Sequence, residues 1–157
     1  MPRRAKKALK RVLLPDAKYS SITVTKFINK LMLRGQKATA EYIIYNATQI
    51  ASQQLDISPV EVLEQAIENS TPLVRVKPRR VGGATYQVPI EVERDSGRSM
   101  AMRWLITSAR ARSGKSMVDK LTTELIDAVK GQGATVKKRD DIHRMAEANK
   151  AFAHYRW

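Results

Sequence analysis

From residue 20 onward, apolar side chains return every three or four positions, and the stripes they draw predict a chain built mainly of helices. Val24, Phe27, Ile28, Leu31 and Met32 fall at i, i+3, i+4, i+7 and i+8, one face of a first helix over about 20–33 that stops at Gly35. At about 100° per residue, Lys26 and Lys30 land on the opposite face. A second helix over about 37–55 carries Ala40, Ile43, Ile44, Ala47, Ile50 and Ala51 on one side, small and apolar enough for the centre of a core. The third opens on SPVE, with Ser58 as cap, Pro59 in the first turn and Glu61 closing a capping box. Val60, Leu63 and Ile67 form its predicted buried stripe.

The period then changes from helical to twofold. Over 72–92, Val74 and Val76 alternate with Arg75 and Lys77, and Tyr86, Val88 and Ile90 alternate with Gln87, Pro89 and Glu91. Gly82-Gly83 between these runs predicts a β-hairpin. Pro78 and Pro89 cannot donate to a ladder, so neither strand belongs inside a larger sheet. A two-stranded ribbon is marginal by itself in water, which predicts an arm whose base packs on helices. Arg75, Lys77 and Arg79 share one side of its first strand.

Helical spacing resumes over about 99–112 (Ala101, Leu105, Ala109) and about 117–130 (Val118, Leu121, Leu125, Val129). A sixth helix is predicted from about Thr135 into the C-terminus, with Ile142, Met145, Asn149 and Phe152 on one side. Arg103 and Arg110, seven residues apart, share a face of the fourth helix to within about 20°. At 157 residues the chain suits one domain, 1–157. It divides into a basic tail (1–11), three helices (12–71), the hairpin arm (72–92) and three more helices (93–157).

Charge changes the picture most. The chain carries 29 Lys and Arg against 15 Asp and Glu, a net of +14, and an excess of this size calls for a polyanionic partner. The charge is also sorted by region. Residues 1–37 hold 11 basic groups and one acid, Asp16; residues 38–74 hold five acids and no Lys or Arg; residues 75–157 hold 18 basic and nine acidic groups. The tail MPRRAKKALKR has six basic groups (Arg3, Arg4, Lys6, Lys7, Lys10, Arg11) and little to bury, so it reads as a flexible segment that orders on a partner. The helically spaced acids Glu61, Glu64 and Glu68 read as a solvated face turned away from phosphate rather than as a metal site.

Catalytic chemistry finds little support. The chain has no Cys, which excludes disulfides and thiolate metal sites. His143 and His154 have no metal-ligand spacing, and Asp140 pairs more simply with Arg144 four residues on. SGKS at 113–116 lacks the first glycine of a phosphate loop, Ala109 standing there, and follows a helix rather than a strand. No enzyme and no cofactor is expected. No apolar run approaches the roughly 20 residues of a membrane span and no secretory signal opens the chain, so a cytosolic or organelle-interior location is expected. The triplets at Asn46 and Asn69 are then idle as glycosylation signals. Cations spread over a tail, two helices, a hairpin and the start of the last helix cannot all enter one major groove; they suit a folded RNA read by shape. A DNA-bending architectural protein gripping the minor groove with the arm is the alternative. An adaptor for an acidic protein or membrane is a third class.

The residues also carry a family likeness. KFINKLM (26–32), AEYIIYNA (40–47), RRVGGATYQVP (79–89), AMRWL (101–105) and KKRDDIHRMAEANKAFAHYRW (137–157) closely resemble the small-subunit ribosomal protein seven family, bacterial or plastid type. The resemblance implies a six-helix bundle with a protruding two-stranded β-hairpin between the third and fourth helices. It implies direct binding to the 3′ major domain of small-subunit rRNA, nucleating assembly of the subunit head. The family's rRNA-facing positions map onto Arg3 to Arg11, Lys26, Lys30, Arg34, Lys37, Arg75, Lys77, Arg94, Arg98, Arg103, Arg110 and Arg112. Arg79, Arg80, Gly82, Gly83 and Tyr86 would lie near mRNA and exit-site tRNA. Ribosomal proteins nine, eleven and thirteen are the implied protein partners, on a cytoplasmic or organelle ribosome. ERDSGRSM (93–100) is less basic than family members often are after the ribbon.

Overall fold

The computed structural model describes residues 12–155; the basic tail predicted over 1–11 lies outside them. Six α-helices and one ribbon follow the predicted order: α1 (Ile22–Leu31), α2 (Lys37–Leu55), α3 (Pro59–Ser70), β1 (Val74–Val81), β2 (Ala84–Glu91), α4 (Arg94–Ala111), α5 (Met117–Val129) and α6 (Gly133–Ala148), then a 3-10 helix, Lys150–Tyr155. The core gathers Phe27 and Ile28 of α1, Ile44 and Ala47 of α2, Leu63 and Ile67 of α3, Leu105 of α4, and Leu121 and Leu125 of α5. Alanines at 40, 47 and 51 let neighbours approach α2 closely. It packs on α1, α3 and α5, but the helix at the centre is α5, which packs on α2, α3, α4 and α6; Ile50, expected on the packed side of α2, is exposed.

The capping box that predicts α3 is present: Ser58 Oγ accepts from the Glu61 N–H and the Glu61 carboxylate accepts from the Ser58 N–H. Leu63 and Ile67 are buried as predicted, joined by Val62 and Ala66, while Val60 is only half-buried. The α1 helix is shorter than its pattern: Ser20 takes positive φ and Ser21 is extended before it, and Met32 leaves helical geometry at its end (ψ 133°). Its neighbour α4 is longer, starting at Arg94. Gly97 sits inside the first turns of α4, ahead of the predicted start near Ser99. A Cβ there would come within 2.9 Å of Thr71 Cγ2 and 3.1 Å of the Pro72 carbonyl oxygen. The glycine is a packing point for the ribbon's base.

The predicted last helix divides at Asn149. Its buried residues are Thr135, Val136 and Ala146, while Met145, expected on the packed side, is exposed. The 3-10 turn that follows brings Phe152 and Tyr155 to the ribbon. Tyr86 lies 5.2 Å, centroid to centroid, from each of them, and the Leu73 N–H donates to His143 Nε2 at 3.0 Å. The ribbon pairs without a bulge, Val74 with Glu91 through Val81 with Ala84. Gly82 and Gly83 form its two-residue turn at φ +57° and +90°. No neighbouring atom lies near either glycine's missing side chain, so the backbone conformation, not crowding, requires them.

Glu124 of α5 is fully buried. It accepts from Arg112 Nε at 2.5 Å and from the amide and hydroxyl of Thr135, while Arg112 also pairs with Asp127. One guanidinium thus ties the end of α4 to α5, and through Glu124 to the start of α6. Removing it would leave a buried carboxylate unpaired. Arg112→Met is expected to destabilise the fold by about 2–4 kcal/mol in urea unfolding, below the value for a fully buried pair because the guanidinium is partly exposed. Phe152→Ala is expected to speed amide exchange across β1 and β2 while leaving the unfolding midpoint of the bundle nearly unchanged. Equal protection of the ribbon in variant and wild type would show that the 3-10 turn does not brace it.

Candidate nucleic-acid interface

Two helices bring the internal cations together. The apolar stripe that buries Val24, Phe27, Ile28 and Leu31 leaves Lys26 and Lys30 on the side of α1 that borders α4. Lys30 Nζ donates to Ser99 Oγ at 2.8 Å, and Arg110 donates to the Leu31 carbonyl at 3.0 Å. Between the helices lies a groove of about 520 Å³ whose lining includes Lys26, Asn29, Lys30, Asp95, Arg98 and Leu13. Burial, then the nearby Arg103 and Lys26, holds the Lys30 ammonium below its ordinary pKa. Among the described residues, Lys26, Lys30, Arg98, Arg103 and Arg110 form no salt bridge. Like charges are thus held close without salt-bridge partners, with Asp95 the one acid on the described lining, a state that a row of phosphates would relieve.

The acids are less remote from this groove than their sequence position predicts. Glu64 and Glu68 of α3 share a small cleft with Thr71, Arg94 and Arg98, and Glu64 accepts from Thr23 of α1 at 3.4 Å. They border the cationic groove, where a face turned away from phosphate was expected. Arg94 and Arg98 stand in the first turns of α4, four residues apart on one helix.

The ribbon supplies a second group. Across β1 and β2, Arg75 faces Ile90, Lys77 faces Val88 and Arg79 faces Tyr86, so the three cations share one face. Arg75 and Lys77 are exposed and Arg79 is half-buried. Tyr86 belongs to this face, and its ring is packed against Phe152 and Tyr155 rather than standing free. Arg80 is exposed opposite Thr85, on the other face. Arg34 and Lys37 flank the α1–α2 loop, where Lys37 pairs with Glu41 at 3.4 Å.

Arg112 differs from the groove cations in that its guanidinium is engaged within the fold by Glu124 and Asp127. Sequence reading also missed Asp16. Nearly buried, it accepts from Tyr45 Oη at 2.6 Å and from the Lys18 and Tyr19 amides at 3.1 Å. Burial and this bond raise the Tyr45 pKa. Lys18 lies 5.3 and 5.1 Å from the Tyr19 and Tyr45 ring centres. This cluster bolts residues 16–19 to α2. An acid three residues before a tyrosine in a basic segment is the only signal the sequence offered. The two triplet asparagines serve backbone: Asn69 Nδ2 donates to the Ala128 and Val129 carbonyls, and Asn46 Nδ2 to the Tyr42 carbonyl. No helix among the described residues is long and apolar enough to cross a membrane.

Full-length likeness joins this geometry. The chain is 59% identical over 157 residues, covering 100% of both chains, to small ribosomal subunit protein uS7 of Thermomicrobium roseum. It is 57% identical over 157 residues, again 100% of both, to the protein of that name from Dehalococcoides mccartyi. With that of Gemmatimonas aurantiaca it shares 56% over 154 residues, 98% of this chain and 99% of the relative. A helical bundle with a cation-lined groove and a basic ribbon, matched end to end by such relatives, defines a structural, non-enzymatic constituent of the small ribosomal subunit. The family model for ribosomal protein S7p/S5e matches residues 2–150, and the chain belongs to that family.

Lys26→Ala combined with Lys30→Ala is expected to lower the slope of log affinity for RNA against log salt by about 2, roughly one for each lost phosphate contact. The thermal midpoint of the free protein should stay level or rise slightly, because like-charge crowding is relieved. A fall in the midpoint with the slope unchanged would make these lysines structural.

Proposed function

We propose that this protein binds the 3′ major domain of small-subunit rRNA directly and nucleates assembly of the subunit head. The observation that carries the reading is the groove between α1 and α4, lined by Lys26, Lys30 and Arg98 with Arg103 near Lys30, none of them in a salt bridge among the described residues. Such a surface is complementary to a folded backbone presenting phosphates from several sides. Arg34, Lys37, Arg75, Lys77, Arg94 and Arg110 extend it across the loop, the ribbon and α4, and the tail from Arg3 to Arg11 adds the most concentrated run of charge. The ribbon, with Arg79, Arg80 and the Gly82-Gly83 turn, reaches towards mRNA and exit-site tRNA. Tyr86 acts there by holding the arm against the C-terminal turn. Ribosomal proteins nine, eleven and thirteen are its proposed neighbours, and the cytoplasmic ribosome its location.

The test is a titration of the full chain against a transcript of that domain, with mixed-sequence duplex DNA as competitor. With about six to ten phosphate contacts, affinity should fall by about 10³- to 10⁵-fold between 50 and 200 mM salt, and the transcript should outcompete the duplex. Binding indifferent to salt, or a preference for the duplex, would overturn the assignment.

A further inference from the structure

Beyond the end of α1, a second recess opens where the α1–α2 loop meets the starts of α2 and α5. Its volume is about 340 Å³, at the small end of the roughly 300–1,000 Å³ typical of small-ligand sites. Met32, Leu33, Ile43 and Met117 wall it, and Gln36 and Thr39 bring one amide and one hydroxyl to it. Among its described lining residues only Arg110 is charged. Leu33 is 58% exposed, so the apolar wall stands open to water.

The surroundings are cationic. Arg110 is tethered by one nitrogen to the Leu31 carbonyl, which holds its fork at the mouth. Arg34 lies between Leu33 and Gln36, and Lys115 precedes Met117 by two residues; both are exposed and neither forms a salt bridge among the described residues. An apolar slot with hydrogen-bonding groups on its lining and cations around its mouth matches the three parts of one nucleotide. The ring face wants apolar contact, the base edge wants donors and acceptors, and the phosphates want charge. An apolar side chain from a protein would use the walls and leave the cations unanswered.

We propose that this recess takes one unpaired nucleobase of the rRNA, with the flanking phosphates on Arg34, Arg110 and Lys115. The proposal rests on the rRNA-binding function above and adds a base-reading element to it. Thr39 is exposed in the first turn of α2, so Thr39→Phe fills the recess without entering the core. Leu33→Ala removes a wall. In the full chain, Thr39→Phe is expected to weaken binding to the 3′ major domain transcript about tenfold and Leu33→Ala about threefold. Both should leave the salt slope unchanged, because no phosphate contact is lost. Among transcripts carrying single abasic positions in unpaired segments, one should show the same loss with wild type and no further loss with Thr39→Phe.

Wild-type affinity in Thr39→Phe would overturn the recess alone, as would a changed slope or strict additivity at every abasic position. Normal RNA binding with failure to enter subunits would assign the recess to a neighbouring protein and also overturn it. Salt-independent binding by the wild type would overturn the proposed function together with this inference.

Discussion

Mutually repelling cations can stay close only if something else holds their helices together, and here that is the apolar seam through the bundle. Val24, Phe27, Ile28 and Leu31 of α1 join the same buried cluster as Met102, Leu105 and Ile106 of α4. Each fully buried side chain of this size contributes about 1.5–3 kcal/mol. Two unit charges about 4 Å apart repel by about 1 kcal/mol in water, and by about 4 kcal/mol near a protein surface. Several such side chains therefore outweigh the repulsion, and Lys26, Lys30 and Arg103 remain near one another before any anion arrives. The lowered Lys30 pKa is the trace of that tension, with burial as its larger cause. Binding energy is stored as crowding rather than assembled on contact, which is the advantage of placing the charges on helices instead of a loop.

The same logic explains which parts of the molecule could be read from sequence. Helix α2 has the expected bounds, and the Ser58 cap and the Gly82-Gly83 turn stand where local chemistry demands, because each depends on a few adjacent residues. The start of α4 lies ahead of the apolar row Ala101, Leu105 and Ala109 that marked the helix, and the role of Gly97 within it is set by Thr71 and the Pro72 carbonyl from the ribbon's base. The cationic groove was half legible. Helical phase put Lys26 and Lys30 on one side of α1, but nothing local says that α4 lies beside them, or that Glu64 and Glu68 of α3 border its arginines. The 3-10 turn at the C-terminus was invisible as such, since its aromatic contacts are with Tyr86, far back in the chain.

Such a contact changes what the ribbon is. A free two-stranded arm would be marginal in water, and its tip would sample many positions. With Tyr86 against Phe152 and Tyr155, and Leu73 on His143, the proximal ribbon becomes part of the folded body. Only the stretch around Gly82 and Gly83 projects. Arg75 and Lys77 are thereby presented from a braced surface, which lowers the entropy lost when they engage a partner.

Arg110 and Arg112 show how narrowly structure and function are divided. They stand two residues apart at the end of α4, with the same side chain and the same sequence context, so composition assigns them one role. Helical rotation sends Arg110 towards α1, where it gives one hydrogen bond to the Leu31 carbonyl. Arg112 turns to α5 and is taken by Glu124 and Asp127. The difference lies in the partners waiting on each side. Glu124 is fully buried and cannot do without a cation, whereas the α1 side offers lysines and a backbone oxygen. In a protein with so large a surplus of positive charge, the scarce resource is the carboxylate. Buried Asp16 is satisfied by Tyr45 and two backbone amides, but Glu124 takes a guanidinium for the fold, and Arg110 on the other side of α4 keeps its charge to offer outward.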